Sequence, residues 1–173
     1  SYIALRGRCQ YCHSPIAIRY LVVELIMSIG LAVLSYQFSV YSLILMAILW
    51  TTVVIAAMDW ETKLVSDRLV GAWAILVISY QLSVNSWSLN SSIVGLVVAV
   101  GLIGGIWAVT KGKGMGFGDV EIAAVMGWWL GWPKIALALW VAFVAGAMVG
   151  LWLIVNGKKK LKSEIAFGPF LIL

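Results

Sequence analysis

Between Leu25 and Met58 the chain carries no charged side chain, and between Leu69 and Thr110 it again carries none. Few folds accept such runs. A helix that crosses a bilayer needs about 20 mostly apolar residues, because in hydrocarbon each backbone N–H and C=O must find its partner inside the segment. Both runs exceed one crossing, and each contains a polar break, "SYQFSVYS" at 35–42 and "NSWSLNSS" at 85–92. Each is therefore expected to form two helices, about 17–37 and 41–58 in the first case and about 68–84 and 91–109 in the second. The apolar stretch from Ile122 to Trp132 is shorter and stops at Pro133. It predicts a short fifth helix that starts early enough to include Asp119 and Glu121. Lys134 to Asn156 makes a sixth, and a seventh begins near Ile165 and is cut off at Leu173. The expected fold is thus all-α and polytopic, with about seven transmembrane helices, the last truncated, and short cytoplasmic loops. Composition agrees, with 63% hydrophobic and 11% charged residues and a mean hydropathy of +1.04. Because the sequence opens on Ser1 and ends inside an apolar run, it is expected to be a piece of a longer protein.

The basic residues set an orientation. Arg6, Arg8 and Arg19 precede the first helix, Lys63 and Arg68 follow the second, Lys111 and Lys113 follow the fourth, and Lys158, Lys159, Lys160 and Lys162 follow the sixth. These loops all fall on one side, and the opposite loops hold only Lys134. Short cytoplasmic loops retain Lys and Arg, so the N-terminus and the basic loops are expected in the cytoplasm. The net charge of +5 then reflects topology and attraction to anionic lipid, and no nucleic-acid partner is needed to explain it.

The acids follow the same map. Asp59, Glu61 and Asp67 lie in "MDWETKLVSDRLV" where the second helix ends, and Asp119 and Glu121 open the fifth behind the glycine-rich "GMGFG". Both groups belong to the cytoplasmic edge. Ionisable groups at membrane depth are by default functional candidates, but at an edge plain structural roles compete. Lys63 lies four residues beyond Asp59 and could pair with it if the helix continues. Asp119 could serve as an N-cap. What distinguishes the pair is the combination: two carboxylates on separate helices at one depth, one of them preceded by glycines, as an aspartic protease requires. In such a pair one group takes a proton from a shared water while the other protonates the carbonyl or the leaving amine, and the two titrate as a unit. Gly116 and Gly118 are assigned a backbone role, allowing close approach to an extended peptide.

The same residues carry a resemblance. "GMGFGD", Gly114 to Asp119, with the "VEIAAVMGWWLGW" after it, resembles the GxGD motif of type IV prepilin peptidases, which are intramembrane aspartic proteases. "AAMDWETKLVSDRLV" resembles that family's first aspartate segment, "LRGRCQYCHSPIAIRYLVVELI" its cysteine loop and first helix, and "IAFGPFLIL" its last helix. The resemblance implies Asp59 and Asp119 as the catalytic pair. It implies a division into 1–18, a remnant of the cysteine-containing loop, and 19–173, the transmembrane peptidase domain. It further implies a multi-pass protein of the bacterial inner membrane with its active site on the cytoplasmic face. The expected substrate is a type IV prepilin or a type II secretion pseudopilin, cut between its basic leader and its apolar helix, and no cofactor is expected for proteolysis. Ser66 stands where the family usually has a proline, so a catalytic role for Asp67 is not carried over, and Asp67 is expected to cap the third helix. Glu61 and Glu121 are expected to be solvated helix-end acids that, with Asp67, attract a basic leader.

Many family members also methylate the new N-terminus with S-adenosylmethionine, and they carry two CxxC pairs that together could supply a tetrahedral zinc site. Here only Cys9 and Cys12 are present, with His13 beside them. Either these form half of a metal site, or they are two reduced cytosolic thiols. The pairs Gly101/Gly105, Gly127/Gly131 and Gly146/Gly150 have the small-xxx-small spacing that lets membrane helices approach closely. Trp87, Trp128, Trp129 and Trp132 are expected to form an interfacial aromatic belt. Glu24 lies about a turn inside the first helix, where it can pair with Arg19 or reach the interface. The competing class is a non-enzymatic membrane protein that uses Asp59 and Asp119 as a proton or cation site. Such sites usually lie near the bilayer midplane on broken helices.

Overall fold

The computed structural model describes residues 2, 5, 7–36, 39–84, 87–113, 115–156 and 167–172, excluding the side chains of Arg19 and Ile154. Arg6, Gly114, Lys158, Lys159, Lys160, Lys162 and Ile165, invoked above, lie outside the described residues. Among the described residues there are seven helices and no strand: α1 Ile18–Ser35, α2 Val40–Thr62, α3 Asp67–Ser83, α4 Leu89–Thr110, α5 Phe117–Leu130, α6 Lys134–Val155 and α7 Gly168–Ile172. Three described stretches are long and apolar enough to cross a membrane, Val40–Thr62, Leu89–Thr110 and Lys134–Leu153. At 1.5 Å per residue the 14 residues of α5 reach only about 21 Å, short of the ~30 Å hydrocarbon core.

One boundary matters for function. Hydropathy alone ends the second helix near residue 58, yet α2 continues to Thr62 and carries Asp59 inside its last turns. A charged residue ends an apolar run without ending a helix, and "DWET" contains neither glycine nor proline to stop one. The stop comes at Lys63, which takes a left-handed φ of 54° and donates its N–H to the Asp59 carbonyl at 2.9 Å.

The chain divides into two compact units, Ser1–Val53 and Val54–Leu173. In the first, a tight turn precedes α1. Arg8 and Pro15 form an antiparallel bridge, the Ile16 N–H donates to the Gly7 carbonyl at 2.8 Å, and the Cys9 N–H donates to the Ser14 carbonyl at 3.0 Å. Gly30 of α1 meets the first part of α2 so closely that a Cβ there would overlap Leu49. Glu24 is exposed and shares a cavity with Tyr2, Tyr20 and Met27.

In the second unit α5 is central. It packs most extensively on α4 and also touches α3, α6 and α7. Its buried face, Ile122, Ala123 and Met126, meets a core that includes Trp73 of α3, Ile103 of α4 and Ile135 of α6. The α4–α5 contact is backbone on backbone. A Cβ on Gly127 would stand 2.5 Å from the Gly95 carbonyl oxygen and 2.8 Å from the Ala99 Cβ, and one on Gly95 would overlap the Gly127 carbonyl.

The small-residue expectation is therefore only partly met. Gly127 packs as expected, and its partners are Gly95 and Ala99 of α4, a small pair at the same four-residue spacing that is not among the three glycine pairs. Gly101 and Gly105 have nothing within 4 Å of an added Cβ. Gly131, the C-cap of α5 at φ 66°, also lies against α4: a Cβ on Gly95 would stand 2.7 Å from its Cα, and a Cβ of its own would stand 2.5 Å from Ser91 Oγ. Gly146 makes only ordinary contacts, 3.6–3.8 Å, with Phe167 and Phe170. Spacing identifies helix faces that could meet closely, whereas the approach of a neighbour decides which of them do.

The tryptophans divide likewise. Trp132 is exposed. Trp129 packs edge-on against fully buried Trp73 at 6.3 Å, and Trp128 lies 5.8 Å from Trp87, so these two half-buried rings also brace α5 against neighbouring segments. Trp87 is anchored by its Nε1–H, which donates to Ser92 Oγ at 2.8 Å.

These contacts set a clear contrast. Gly127→Ala is expected to cost roughly 1–3 kcal/mol as an overpacking change and to lower the thermal unfolding midpoint in detergent. Gly101→Ala, with open space around it, should leave the midpoint unchanged or slightly higher.

Candidate active site

Asp59 and Asp119 are both buried, at 5% and 7% exposure, in the second unit. Burial of a carboxylate in an apolar helical unit is costly, so each position needs a physical account.

Asp119 lies at the third position of α5, three residues beyond the N-cap position expected for it. Gly116 is the N-cap, and the Gly116 N–H donates to Asp119 Oδ2 at 3.1 Å. This is one half of a capping box; glycine has no side chain to return the other half. Gly116 has an ordinary φ of −71°, so no left-handed backbone is required there. Gly118 is different. A Cβ on it would stand 2.7 Å from the Cβ of Val65, in the short connection between α2 and α3. The missing side chain lets the start of α5 press against the residues that follow Asp59. That contact brings the two aspartate segments together.

The opposite end of α5 is held by Gln81 of α3. Its Nε2 donates to the carbonyls of Trp128 and Trp129, both at 3.1 Å, occupying acceptors that a helix C-terminus leaves open. Gln81 is buried, and nothing in its local sequence marks it.

Asp59 reaches the same region from the end of α2, and its charge acts directly on the Asp119 carboxyl. The third wall is α7. A Cβ on Gly168 would stand 2.6 Å from Asp59 Oδ2, 3.1 Å from its Cγ and 3.4 Å from Ile122 Cδ1. The backbone N–H of Gly168 faces the same carboxylate, but buried Oδ2 itself accepts no well-formed hydrogen bond. Gly168 and Val65 both lie in stretches that carry the family resemblance, but neither is assigned a role by it. "FGPF" shows a glycine beside a proline, but which atom comes near that glycine is a property of the fold alone.

The remaining acids lie around this pair. Glu61 is exposed, as expected. Asp67 does not cap α3: Ser66 is the N-cap, and Asp67 is the first helical residue, where its charge complements the helix N-terminus without a capping bond. Glu121 is half-buried rather than solvated, and the Asp67 carboxylate acts on it electrostatically. Chemically, two buried carboxylates whose charges interact, one with an oxygen still open to a donor, can hold a water between them and divide the roles of base and acid.

Cys9 and Cys12 belong to the first unit, in the turn closed by the Arg8–Pro15 bridge. Both are free thiols, and His13 beside them has a left-handed φ of 53°. Among the described residues no three His, Cys, Asp or Glu side chains gather to hold a metal. Two thiols are half of a tetrahedral zinc set, so these residues alone do not fit the ion. Cys12 Sγ lies 3.0 Å from Ser14 Oγ, and hydrogen bonds from Ser14 and Cys9 draw its thiol down to about 7. At neutral pH a substantial fraction is thiolate, the nucleophilic form. Iodoacetamide at pH 7 should therefore label Cys12 ahead of Cys9, and Ser14→Ala should slow Cys12 labelling, read by peptide mass mapping.

Comparison with known proteins identifies the family. Residues 44–151 match the type IV leader peptidase family, and residues 1–38 match the bacterial peptidase A24 N-terminal domain. A prepilin leader peptidase/N-methyltransferase of Pseudomonas putida is 34% identical over 99% of this chain and 62% of its own length. Proteins of the same name from Burkholderia pseudomallei and Legionella pneumophila are each 32% identical, over 99% and 98% of this chain and 57% and 61% of their own lengths. The chain thus spans about three-fifths of the length of the relatives it matches. No solved structure matches. Asp59 and Asp119 both lie within the matched region, and with the all-helical fold around them the chain belongs to the type IV leader peptidase family.

Proposed function

We propose that this chain is a membrane-embedded aspartic endopeptidase that removes the basic leader from type IV prepilins or type II secretion pseudopilins, with Asp59 and Asp119 as its catalytic pair. The observation that carries the proposal is the convergence of these two buried, interacting carboxylates from α2 and α5. One carboxylate takes a proton from a bound water, whose oxygen attacks the scissile carbonyl carbon. The other delivers a proton to the departing amide nitrogen, the C–N bond breaks, and the pair returns to its starting proton count. Gly116 and Gly118 act through the backbone: the first donates to Asp119, and the second lets α5 approach Val65.

Several finer points belong to the same proposal. The helices, including short α5 and α7, are embedded in the bacterial inner membrane, with the N-terminus and both aspartates facing the cytoplasm. Basic residues beside α1, α2 and α4 support this orientation. Residues 1–18 are the cysteine-containing loop and 19–173 the peptidase domain. The relatives' names also carry an N-methyltransferase activity. For this chain, methylation of the new N-terminus, with S-adenosylmethionine as donor, is part of the proposal, and no residue is assigned to it. Recognition rests on the substrate's apolar helix and on Glu61, Asp67 and Glu121, which attract the basic leader.

The decisive experiment is prepilin cleavage in liposomes by the wild type, Asp59→Asn and Asp119→Asn, with thermal unfolding of each. Both variants should lose roughly 10²–10⁴ in rate, the usual contribution of a positioned acid or base, while their unfolding midpoints hold. Asn at 119 can still accept the Gly116 N–H, so the start of α5 survives that change. Full cleavage by either folded variant would remove the pair from the chemistry, and ion flux coupled to a proton gradient would instead indicate a transport site. In the wild type, cleavage against pH should be bell-shaped, one limb for each proton of the coupled pair. Asp67→Lys with Glu121→Lys should raise KM for a prepilin with a basic leader and leave KM for a neutralised leader unchanged; an unchanged KM for the basic leader in that variant would place recognition elsewhere.

A further inference from the structure

The contact between α7 and Asp59 points to a residue that acts on the reaction without taking part in the proton transfers. Gly168 opens α7 and is buried. The atom nearest to where its Cβ would be is Asp59 Oδ2 at 2.6 Å, followed by Asp59 Cγ at 3.1 Å and Ile122 Cδ1 at 3.4 Å. Real Cβ atoms do not approach an oxygen so closely. The clash involves two atoms of one carboxylate, so an alanine here cannot be accommodated by small movements of a distant side-chain tip. Either the Asp59 carboxylate swings away or α7 backs off. Ile122, fully buried and on the same helix as Asp119, lines the same contact.

We propose that Gly168 is a positioning residue: its bare Cα forms the wall that holds the Asp59 carboxylate toward Asp119, and any side chain at 168 misaligns the pair. The proposal rests on the peptidase reading above and extends it to a third chain segment, remote in sequence from both aspartates and adjacent to Asp59 in space.

A second reason for glycine competes at this position. Pro169 follows, and a proline disfavours helical backbone at the residue before it when that residue carries a Cβ. The two reasons separate by mutation. Gly168→Ala should lower kcat by about 100-fold, the order expected when a catalytic group is misplaced by about 1 Å, while KM for prepilin stays near the wild-type value. Gly168→Ala/Pro169→Ala relieves the pre-proline conflict and leaves the Cβ against Asp59, so kcat should stay low, whereas Pro169→Ala alone should cleave well. Gly146→Ala, which changes only ordinary contacts between α6 and the α7 region, should also keep its kcat.

Recovery of kcat in the double variant would overturn the proposal, because the glycine would then serve only the backbone before Pro169. A fall in unfolding midpoint with normal kcat in Gly168→Ala would overturn it as well. Failure of the peptidase reading looks different: Asp59→Asn or Asp119→Asn would then cleave normally, whatever happens at 168.

Discussion

The second unit depends on how α5 is held. This helix is too short to cross a bilayer by itself, carries Asp119 in its first turn, and is surrounded by α3, α4, α6 and α7. It meets α4 through Gly95 and Gly127 with no side chain between them. Its first turn is tied back through the Asp119–Gly116 bond, and its last carbonyls are occupied by Gln81. A helix fixed at both ends and pressed against a neighbour's backbone has little freedom to slide, so the depth of Asp119 follows from packing.

Asp59 is positioned by a different device. It lies near the end of a long apolar helix, and the chain turns immediately afterwards at Lys63 and Val65. Gly118 accepts Val65 at a distance no other residue would permit, and Gly168 does the same for the Asp59 carboxylate. Two glycines from distant parts of the chain thus bound the carboxylate pair. Each removes a side chain where a functional group or its supporting backbone must pass, which is a stricter requirement than conformational freedom.

The first unit has a separate chemistry. Its turn displays two thiols, one of them acidified by Ser14, and it offers half of the donors a tetrahedral metal would need. Nothing in the proteolytic chemistry proposed for the aspartates uses these groups.

Much of this organisation is legible in the sequence. Uncharged runs and polar breaks locate six helices to within a few residues, because the cost of burying charge in hydrocarbon is imposed locally on each segment. Both aspartates stand out from their place at the ends of apolar runs, and the glycine-rich approach to Asp119 carries the resemblance that the family match supports. Hydropathy misplaces the end of α2 because it marks where apolar residues stop, not where backbone hydrogen bonding stops. The choice of Gly95 over Gly101 and Gly105, the bracing of α5 by Trp128 and Trp129, the cap by Gln81 and the contact of Gly168 with Asp59 were decided only by tertiary structure. Each depends on which neighbour comes within a few ångströms, a distance between residues far apart in the chain that no local pattern encodes.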